Sequence, residues 1–396
     1  MPFARAAVEL KHFTHTDVSR PTVERLTEAA GAAYVAFQSS EVVRIEQSLP
    51  APPAGAAQQL LSVDGAMVPL VGGEWAEVRT LVIGEVKPPL LVKGESVIQT
   101  TALSYFSRLS DAERFQRLAL VETQRRGVES AQAVAAVSDG AEWIQKFVDF
   151  HRPDAVRILD FAHAGERLTL VGQTCFGRST PAGSAWLAAQ LHELKHAGPT
   201  AVLASVQNLL RTQPDAPDLP THLAYLTKRT AHMQYPTFQQ AGWPIGSGAV
   251  ESANKLVVEA RLKGSGMHWA PAHVDPMLAL RNIVCSDRWD EAWPQITCAL
   301  RQQAHQRRTD QRQKRRLRRT DQVTLDAPAT APPTRTPRLT PLSQADSPAL
   351  TPSSQQNAHP HTPPRPPRPP ANHPWRRMPI GRARYQPSIS STYAKS

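Results

Sequence analysis

The sequence predicts an α/β protein in which a mixed sheet is flanked by helices, and three observations support this fold class. Two β-branched runs, 60–70 and 74–86, are separated by a glycine pair, which is typical of an antiparallel hairpin. Two later apolar runs, 133–138 and 155–159, each lead into a helical pattern, as parallel strands joined by crossover helices do. Leucines and valines then recur at helical spacing across 178–240, which predicts an all-helical insertion.

The N-terminal segment, residues 1–50, predicts two helices with a turn between them. Ser19 is a candidate N-cap for the second helix, with Pro21 in its first turn. One interpretation is a helix-turn-helix whose second helix offers Arg20 and Arg25 to DNA. A plain helical hairpin fits the same residues equally well.

Composition divides the remainder of the chain into three parts. A proline-rich and alanine-rich linker at 51–57 precedes the sheet domain, which we place at 58–300 and to which a short strand near 102–106 belongs. A basic helix is expected at 301–326. Few aliphatic residues occur among the prolines and arginines of 327–396, so this tail is expected to be disordered.

The charge balance favours a polyanionic partner. Lys and Arg outnumber Asp and Glu by 45 to 34, which gives a net charge of +11, and nucleic acid is a better candidate than an anionic membrane. Nine basic residues and one acidic residue lie between 301 and 319, where Arg315 and Arg316 are candidates for phosphate contacts. A simply solvated helix face is the alternative for this run.

Cysteine usage and hydropathy point to an intracellular, soluble protein. The three cysteines form no close pair, so neither a disulfide framework nor a zinc ribbon is supported. No stretch of about 18 apolar residues and no secretory leader is evident. We therefore expect a cytoplasmic location without membrane contact.

Three acidic residues occupy positions that suit a metal site. Asp139 follows a buried strand and precedes a glycine, Asp64 lies within the first strand and also precedes a glycine, and Glu251 opens a helix after a glycine-rich loop. Carboxylates at the ends of strands can hold hard cations such as Mg²⁺. Spacing alone is weak support, because the chain contains 34 acidic residues.

The helix that begins near Glu251 is predicted to bury one apolar face. We expect Asn254 and Lys255 to lie about one turn along on the same side as Glu251, where an amide and an ammonium would suit a metal site beside phosphates. Alternatively, Lys255 merely pairs with Glu251. The residues expected to be buried are Val250, Ala253, Leu256, Val257 and Ala260.

Four segments, SVDGAMVPL, VSDGAEWI, ILDFAHAGERL and GWPIGSGAVESANKLVVEARLKGSGMHW, resemble bacterial insertion-sequence transposases of the ISKra group, relatives of the Mutator-like enzymes. The resemblance covers roughly 59–293. It implies a ribonuclease-H-like fold and a DDE triad of Asp64, Asp139 and Glu251, which would bind two Mg²⁺ ions, with Mn²⁺ able to substitute. It further implies terminal inverted repeats and target DNA as partners, a homodimer in the synaptic complex, and a location on the bacterial nucleoid.

The resemblance also implies roles for two further groups of residues. Asp160 and His163 match an Asp-x-x-His element of the broader group, where they would orient a metal ligand or touch DNA; a helix-capping pair without catalytic duty is the alternative. Arg261, Lys263 and Trp269 follow the Glu helix as an aromatic and basic cluster. Trp269 would stack on a displaced base in DNA, or it is partly buried core.

The chain departs from the ISKra pattern at both ends. Family members carry a longer N-terminal region, often rich in cysteine, and the proline-rich tail is not expected of the group. These departures predict a truncated copy or a mis-assigned start, and a non-enzymatic DNA-binding remnant is the main rival to an active transposase. A nucleotide enzyme with PIGSG as its phosphate loop is a weaker rival, since no Gly-x-x-x-x-Gly-Lys pattern follows a strand.

Overall fold

A mixed β-sheet forms the centre of the computed structural model, which describes residues 2–92 and 95–325. Side chains are described for 2–91 and 97–315. The predicted disordered tail, 327–396, lies outside these residues. The described strands are, in chain order, β1 (Gln58–Pro69), β2 (Trp75–Val86), β3 (Leu90–Val92), β4 (Glu95–Val97), β5 (Thr100–Leu109), β6 (Ala133–Ser138) and β7 (Val156–Leu159).

The main sheet has five strands in the order β5-β2-β1-β6-β7. β2 pairs antiparallel with β1 and with β5, whereas β6 pairs parallel with β1 and with β7. Gly72 and Gly73 have positive φ values of 94° and 85° in the turn between β1 and β2, a conformation that glycine adopts without steric cost. The predicted hairpin, third strand and mixed sheet are therefore confirmed. A separate antiparallel hairpin is made by β3 and β4.

Helices cover the sheet and supply most of the remaining structure. The predicted helices after β6 and after β7 are present. The described α-helices are α1 (Phe3–Thr14), α2 (Arg20–Ser48), α3 (Ala112–Leu118), α4 (Leu120–Arg125), α5 (Glu142–His151), α6 (Phe161–Phe176), α7 (Pro181–His196), α8 (Pro199–Thr212), α9 (Leu219–Lys228), α10 (Tyr235–Gln240), α11 (Gly248–Ala253), α12 (Ala260–Leu262), α13 (Pro271–Cys285) and α14 (Trp289–Leu325).

Successive residues of β1 feed cores on opposite faces of the sheet, as the alternation of side chains along a strand requires. Leu61 joins a core with Phe115 of α3 and Phe147 of α5. Leu60 joins a second core with α6 and the helices α7 to α10, so the predicted helical insertion packs on that face. Both phenylalanines are fully buried, and each contributes roughly 1.5–3 kcal/mol by leaving water.

The later part of β1 is covered by a third core. Val68 packs there with Val250 of α11 and with residues of α12 and α13. Between this core and the one under the insertion, the same face of β1 presents Asp64, which is only partly buried. The helix that carries Glu251 is therefore packed directly beside Asp64.

The N-terminal helices belong to the same compact unit as the sheet. α2 begins after the predicted N-cap Ser19 with a proline in its first turn, and it runs for 29 residues along α13 and α14. Gly31 allows the close approach, because a Cβ there would lie 2.2 Å from the backbone oxygen of Pro276. α1 contributes no buried residue.

The predicted basic helix is the second half of a longer element. α14 extends over 37 residues, beginning at Trp289 and reaching Leu325. Its stacked aromatic pair, Trp289 and Trp293, lies before the arginine-rich stretch. No helix in the described part of the chain is long and apolar enough to cross a membrane.

Candidate functional site

Asp64 lies on β1, and Asp139 directly follows the neighbouring parallel strand β6. In the ladder between β1 and β6, Ser62 pairs with Val137, an offset of 75 residues (137 − 62) that equals the offset between the two aspartates (139 − 64). β6 ends one residue before Asp139, whereas β1 continues past Asp64. Both carboxylates therefore lie at the end of the sheet where β6 stops.

Asp160 occupies the corresponding position after β7. Ser138 pairs with Leu159 in the parallel ladder between β6 and β7, and the backbone N–H of Asp160 donates to the carbonyl of Ser138 at 2.7 Å. Asp139 and Asp160 thus each follow the carboxyl end of a parallel strand. Such edges of α/β sheets are common binding sites for ligands and metals.

The Asp64 carboxyl carries a raised pKa. Burial is the main cause, and the negative charge of Asp139 raises the pKa further. A hydrogen bond from the backbone N–H of Gly65 (2.7 Å), the charge of His163 and a hydrogen bond from the amide of Asn254 oppose the increase. The two aspartates are therefore close enough to interact, and a cation between them would relieve the repulsion.

Asp160 is 1% exposed, and both oxygens of its carboxylate accept hydrogen bonds. It accepts hydrogen bonds from the backbone N–H of Ala162 (3.1 Å), from Nδ1 of His163 (2.8 Å) and from the hydroxyl of Ser247 (2.8 Å). Burial alone would raise the pKa of Asp160, but these hydrogen bonds lower it below its ordinary value. Asp160 therefore caps α6 and also accepts a hydrogen bond from His163, as the capping alternative expects; a role in orienting a metal ligand or in touching DNA stays a prediction.

Ser247 links Asp160 to Glu251. Its hydroxyl lies 2.8 Å from Oδ2 of Asp160 and 3.0 Å from Oε1 of Glu251, and its single proton can be donated to only one carboxylate at a time. Ser247 is the N-cap residue of α11, yet its side chain makes no capping hydrogen bond because it faces the carboxylates. Ser247 was not among the predicted site residues, although a serine just before a helix is a recognised N-cap signal.

Asn254 connects the Glu helix to the sheet. Its Nδ2 donates to Oδ2 of Asp64 at 2.8 Å, while its buried Oδ1 has no hydrogen-bond partner in the described part of the chain. Asn254 begins a π-helical segment, Asn254–Glu259, that continues directly from α11. Single π-turns within α-helices frequently occur at functional sites.

The π-helical segment corrects the predicted buried face of this helix. Val250, Ala253 and Val257 are buried as expected, but Leu256 is 46% exposed and Ala260 is exposed as well. Each i→i+5 turn adds about one residue to the α-helical repeat, so the buried face shifts along the chain after Ala253. The additional buried positions are Asn254, Val258 and Leu262.

The shift of the buried face places Asn254 and Lys255 on different sides of the helix, although we expected both on the side of Glu251. Asn254 turns inward to Asp64, whereas Lys255 remains exposed. Among the described residues, Lys255 forms no ion pair with Glu251, and neither Asp64 nor Asp139 is paired with a Lys or Arg side chain. In the described part of the chain, the basic side chain that pairs directly with a carboxylate of this cluster is His163, which bonds Asp160.

Two residues of the insertion hold the turn that follows β6. The hydroxyl of Tyr225 donates to the carbonyl of Asp139 at 2.8 Å, and Arg229 donates to the carbonyl of Gly140 at 2.7 Å. Oδ1 of Asp139 accepts from the backbone N–H of Ala141 at 2.8 Å. Tyr225 and Arg229 were not among the predicted site residues, because nothing in the local sequence indicates contacts more than 80 residues away.

In the described part of the chain, the side chains are not arranged as a complete metal-binding site. No group of three or more His, Cys, Asp or Glu residues in the described part of the chain is arranged to hold a metal ion. The donor chemistry nevertheless fits a hard divalent cation, because Asp64 is a desolvated carboxylate beside Asp139 and the buried oxygen of Asn254 lacks a partner. Glu251 is exposed and would have to turn away from Ser247 to join them.

Three of the residues predicted to bind DNA surround one cavity of about 530 Å³, namely Arg20, Arg261 and Trp269. The Arg261 guanidinium lies 4.6 Å from the ring centroid of Phe3 and 5.1 Å from that of Trp269. The indole N–H of Trp269 donates to the carbonyl of Leu262 at 3.2 Å. Trp269 is thus partly packed into the core, with a cation over its ring, and its stacking on a base stays a prediction.

The other predicted DNA-binding residues lie apart from this cavity. Lys263 pairs with Glu259 at 2.7 Å on the Glu helix. Arg25 is exposed on α2, and Arg315 is exposed on α14. The side chain of Arg316 lies outside the described residues.

Comparison with known proteins does not identify a family. No protein-family model matches the chain, and no curated protein matches its sequence. The assignment of a function therefore rests on the geometry of the site and on the motifs of the sequence.

Proposed function

We propose that this chain is a metal-dependent DNA transposase of the DDE type, as its motifs suggest. The observation that carries the proposal is the placement of Asp64 on β1 beside Asp139, which directly follows the neighbouring parallel strand β6, with the Glu251 helix tied to Asp64 through Asn254. Asp64 and Asn254 lie 190 positions apart in the chain, and their side chains meet at the end of the sheet where β6 stops. The five-stranded mixed sheet and the helical insertion support a ribonuclease-H-like core.

Asp64, Asp139 and Glu251 would hold two Mg²⁺ ions, with Mn²⁺ able to substitute. When bound, the ions would supply an activated oxygen nucleophile and stabilise the leaving oxygen of a phosphodiester. The protein contributes mainly positioning. Asn254 fixes one oxygen of Asp64, and Ser247 contacts Glu251, whose carboxylate would have to turn toward the aspartates to bind a metal.

His163 would act as the neighbouring positive charge. Its hydrogen bond to Asp160 raises the pKa of His163 to about 9, so the imidazole is protonated at neutral pH. A cation beside Asp64 and Asp139 can attract a DNA phosphate and can temper the repulsion between the carboxylates. Asp160 is occupied by its hydrogen bonds and would orient His163 rather than bind a metal.

DNA would be bound through basic surfaces outside the carboxylate site. The exposed Arg25 and Arg315 and the net charge of +11 support contact with phosphates. The partners would be the terminal inverted repeats of the element and the target DNA, bound by a homodimer on the bacterial nucleoid in the cytoplasm.

The proposal is tested by incubating the purified chain with duplexes taken from the DNA that flanks its reading frame. We expect cutting in Mg²⁺ or Mn²⁺ and none in EDTA. Asp139→Asn should bind the duplexes with unchanged affinity and lose strand cleavage by at least about 100-fold, because charge stabilisation at the reacting phosphate is lost. Cleavage by Asp139→Asn at the wild-type rate would remove Asp139 from the site.

A non-enzymatic DNA-binding protein is the alternative function. The long basic helix α14 and the absence of a preassembled metal cage among the described residues favour it. Such a protein would bind the same duplexes equally well in EDTA and would not cut them in any metal. Binding that persists without cutting would therefore select this alternative.

A further inference from the structure

The helical insertion contacts the Asp139 turn through two hydrogen bonds to main-chain carbonyls. Tyr225 in α9 donates its hydroxyl to the Asp139 carbonyl at 2.8 Å. Arg229, which directly follows α9, donates Nη2 to the Gly140 carbonyl at 2.7 Å. A strand that has just ended leaves such carbonyls without a ladder partner, so the insertion supplies the donors that the turn needs.

The backbone of the turn fits closely against Arg229. Gly140 has a φ of 78°, which is in the left-handed region, and a Cβ at this position would lie 2.6 Å from Nε of Arg229. Any other residue at 140 would be strained and would also displace the guanidinium. The glycine therefore serves both the reversal of the chain and the close approach of the insertion.

Tyr225 is itself held in place by two guanidinium groups. The Arg229 guanidinium lies 3.7 Å from the ring centroid of Tyr225, and that of Arg167 in α6 lies 4.4 Å from it. Arg229 also donates Nη1 to the carbonyl of Tyr225 at 3.2 Å. Cation–π contacts of this kind hold a ring in a fixed orientation, so the hydroxyl has little freedom to leave the Asp139 carbonyl.

We propose that Tyr225 and Arg229 are positioning residues that fix the Asp139 turn, so that the insertion sets the orientation of the Asp139 carboxylate. The link to the side chain is short, because Oδ1 of Asp139 accepts from the backbone N–H of Ala141 within the same turn. The insertion thus acts on the site through the backbone and touches no reacting atom. The value of this orientation for metal binding rests on the function proposed above.

Hydrogen exchange of the Ala141 amide measures this orientation directly, because that N–H is bonded to the Asp139 side chain. The test uses the full chain without metal, as wild type and as Tyr225→Phe, which keeps the ring between its cations and removes only the hydroxyl. We expect exchange at 139–141 to become about five-fold faster, the effect of one lost hydrogen bond on local opening. The exchange of amides within α9 should not change, and the melting temperature should fall by no more than the roughly 2–4 °C that a loss of about 1 kcal/mol causes.

Lys228→Met is the matched control, because Lys228 joins the same two elements without touching the turn carbonyls. It pairs with Glu142 at 2.8 Å, and the two side chains are 67% and 77% exposed. Exchange at 139–141 should stay within two-fold of wild type in this variant. An unchanged rate in Tyr225→Phe, or an equal rise in Lys228→Met, would overturn the proposal.

Two further measurements separate positioning from general stability. Arg229→Met should speed exchange at 139–141 in the same way as Tyr225→Phe, and a rise spread evenly over the whole chain would instead indicate a merely structural role. Titration with Mn²⁺ should show weaker binding, by about three- to ten-fold, in Tyr225→Phe and not in Lys228→Met. If the wild-type chain binds no Mn²⁺, the proposed function fails, while the exchange result still decides whether the turn is fixed by the insertion.

Discussion

His163 should titrate far above the ordinary range of a histidine. Its hydrogen bond to Asp160 at 2.8 Å is the largest cause of the rise to a pKa of about 9, against an opposing effect of burial. The charges of Asp160, Glu166 and Asp139 add to the increase. Imidazolium is therefore stabilised in the folded chain relative to the unfolded one.

The sign and size of the effect on stability follow from this shift. Because the folded pKa is raised from 6.5, the stabilisation is fully present below pH 6.5 and is lost as the pH rises through about 9. A shift of about 2.5 units corresponds to roughly 3.4 kcal/mol for a fully shielded group. The His163 side chain is 40% exposed, and solvent screening reduces our expectation to about 1–2 kcal/mol.

The assay is chemical denaturation at pH 6 and at pH 9.5 for wild type and His163→Gln, both without metal. The stability advantage of wild type over the variant should be about 1–2 kcal/mol at pH 6 and should disappear by pH 9.5. Titration of the imidazole signals by NMR, assigned through the signal missing in His163→Gln, gives the pKa independently. A pKa near 6.5, or a difference in stability that does not depend on pH, would refute the assignment.

The remaining predictions concern parts of the fold away from the carboxylates. Burial lowers the pKa of His151 to about 4, so its imidazole is neutral in the folded chain at neutral pH. The free energy of unfolding of the wild type should therefore fall by up to about 3 kcal/mol as the pH falls from 6.5 to 4. In denaturant unfolding, His151→Asn should lack this pH dependence. Gly31→Ala should lower stability by about 1–3 kcal/mol, because the added Cβ meets the fixed backbone of Pro276. Gly248→Ala is its control in thermal unfolding, since nothing lies within 4 Å of an added Cβ there; equal losses in both variants would contradict the packing argument.

Local sequence patterns predicted the strands of the main sheet, whereas the small hairpin of β3 and β4 was not predicted. Alternating β-branched residues and a glycine turn define β1 and β2, and an apolar run that stops at an acid followed by glycine defines the end of β6. These patterns work because strand pairing and burial act on short stretches of chain. The parallel register between β1 and β6, which brings Asp64 beside Asp139, was not predicted, since it depends on which strands become neighbours.

The contacts that join the site could not be read from the sequence. The hydrogen bond from Asn254 to Asp64 spans 190 residues, and the one from Tyr225 to Asp139 spans 86. The π-helical segment likewise has no local signature here, and a regular α-helical repeat predicted Leu256 to be buried when it is exposed. In each case tertiary packing decides which residues turn inward.

Mn²⁺ binding to the purified chain, counted by electron paramagnetic resonance, shows whether Asp64 and Asp139 form a metal site. We expect two ions per chain, with both affinities strongly reduced in Asp139→Asn and in Asp64→Asn, because both carboxylates are proposed ligands. His151→Asn, which lies outside the site, should bind two ions with wild-type affinity. Absence of Mn²⁺ binding in the wild type, or binding that neither aspartate substitution weakens, would show that Asp64 and Asp139 are not metal ligands.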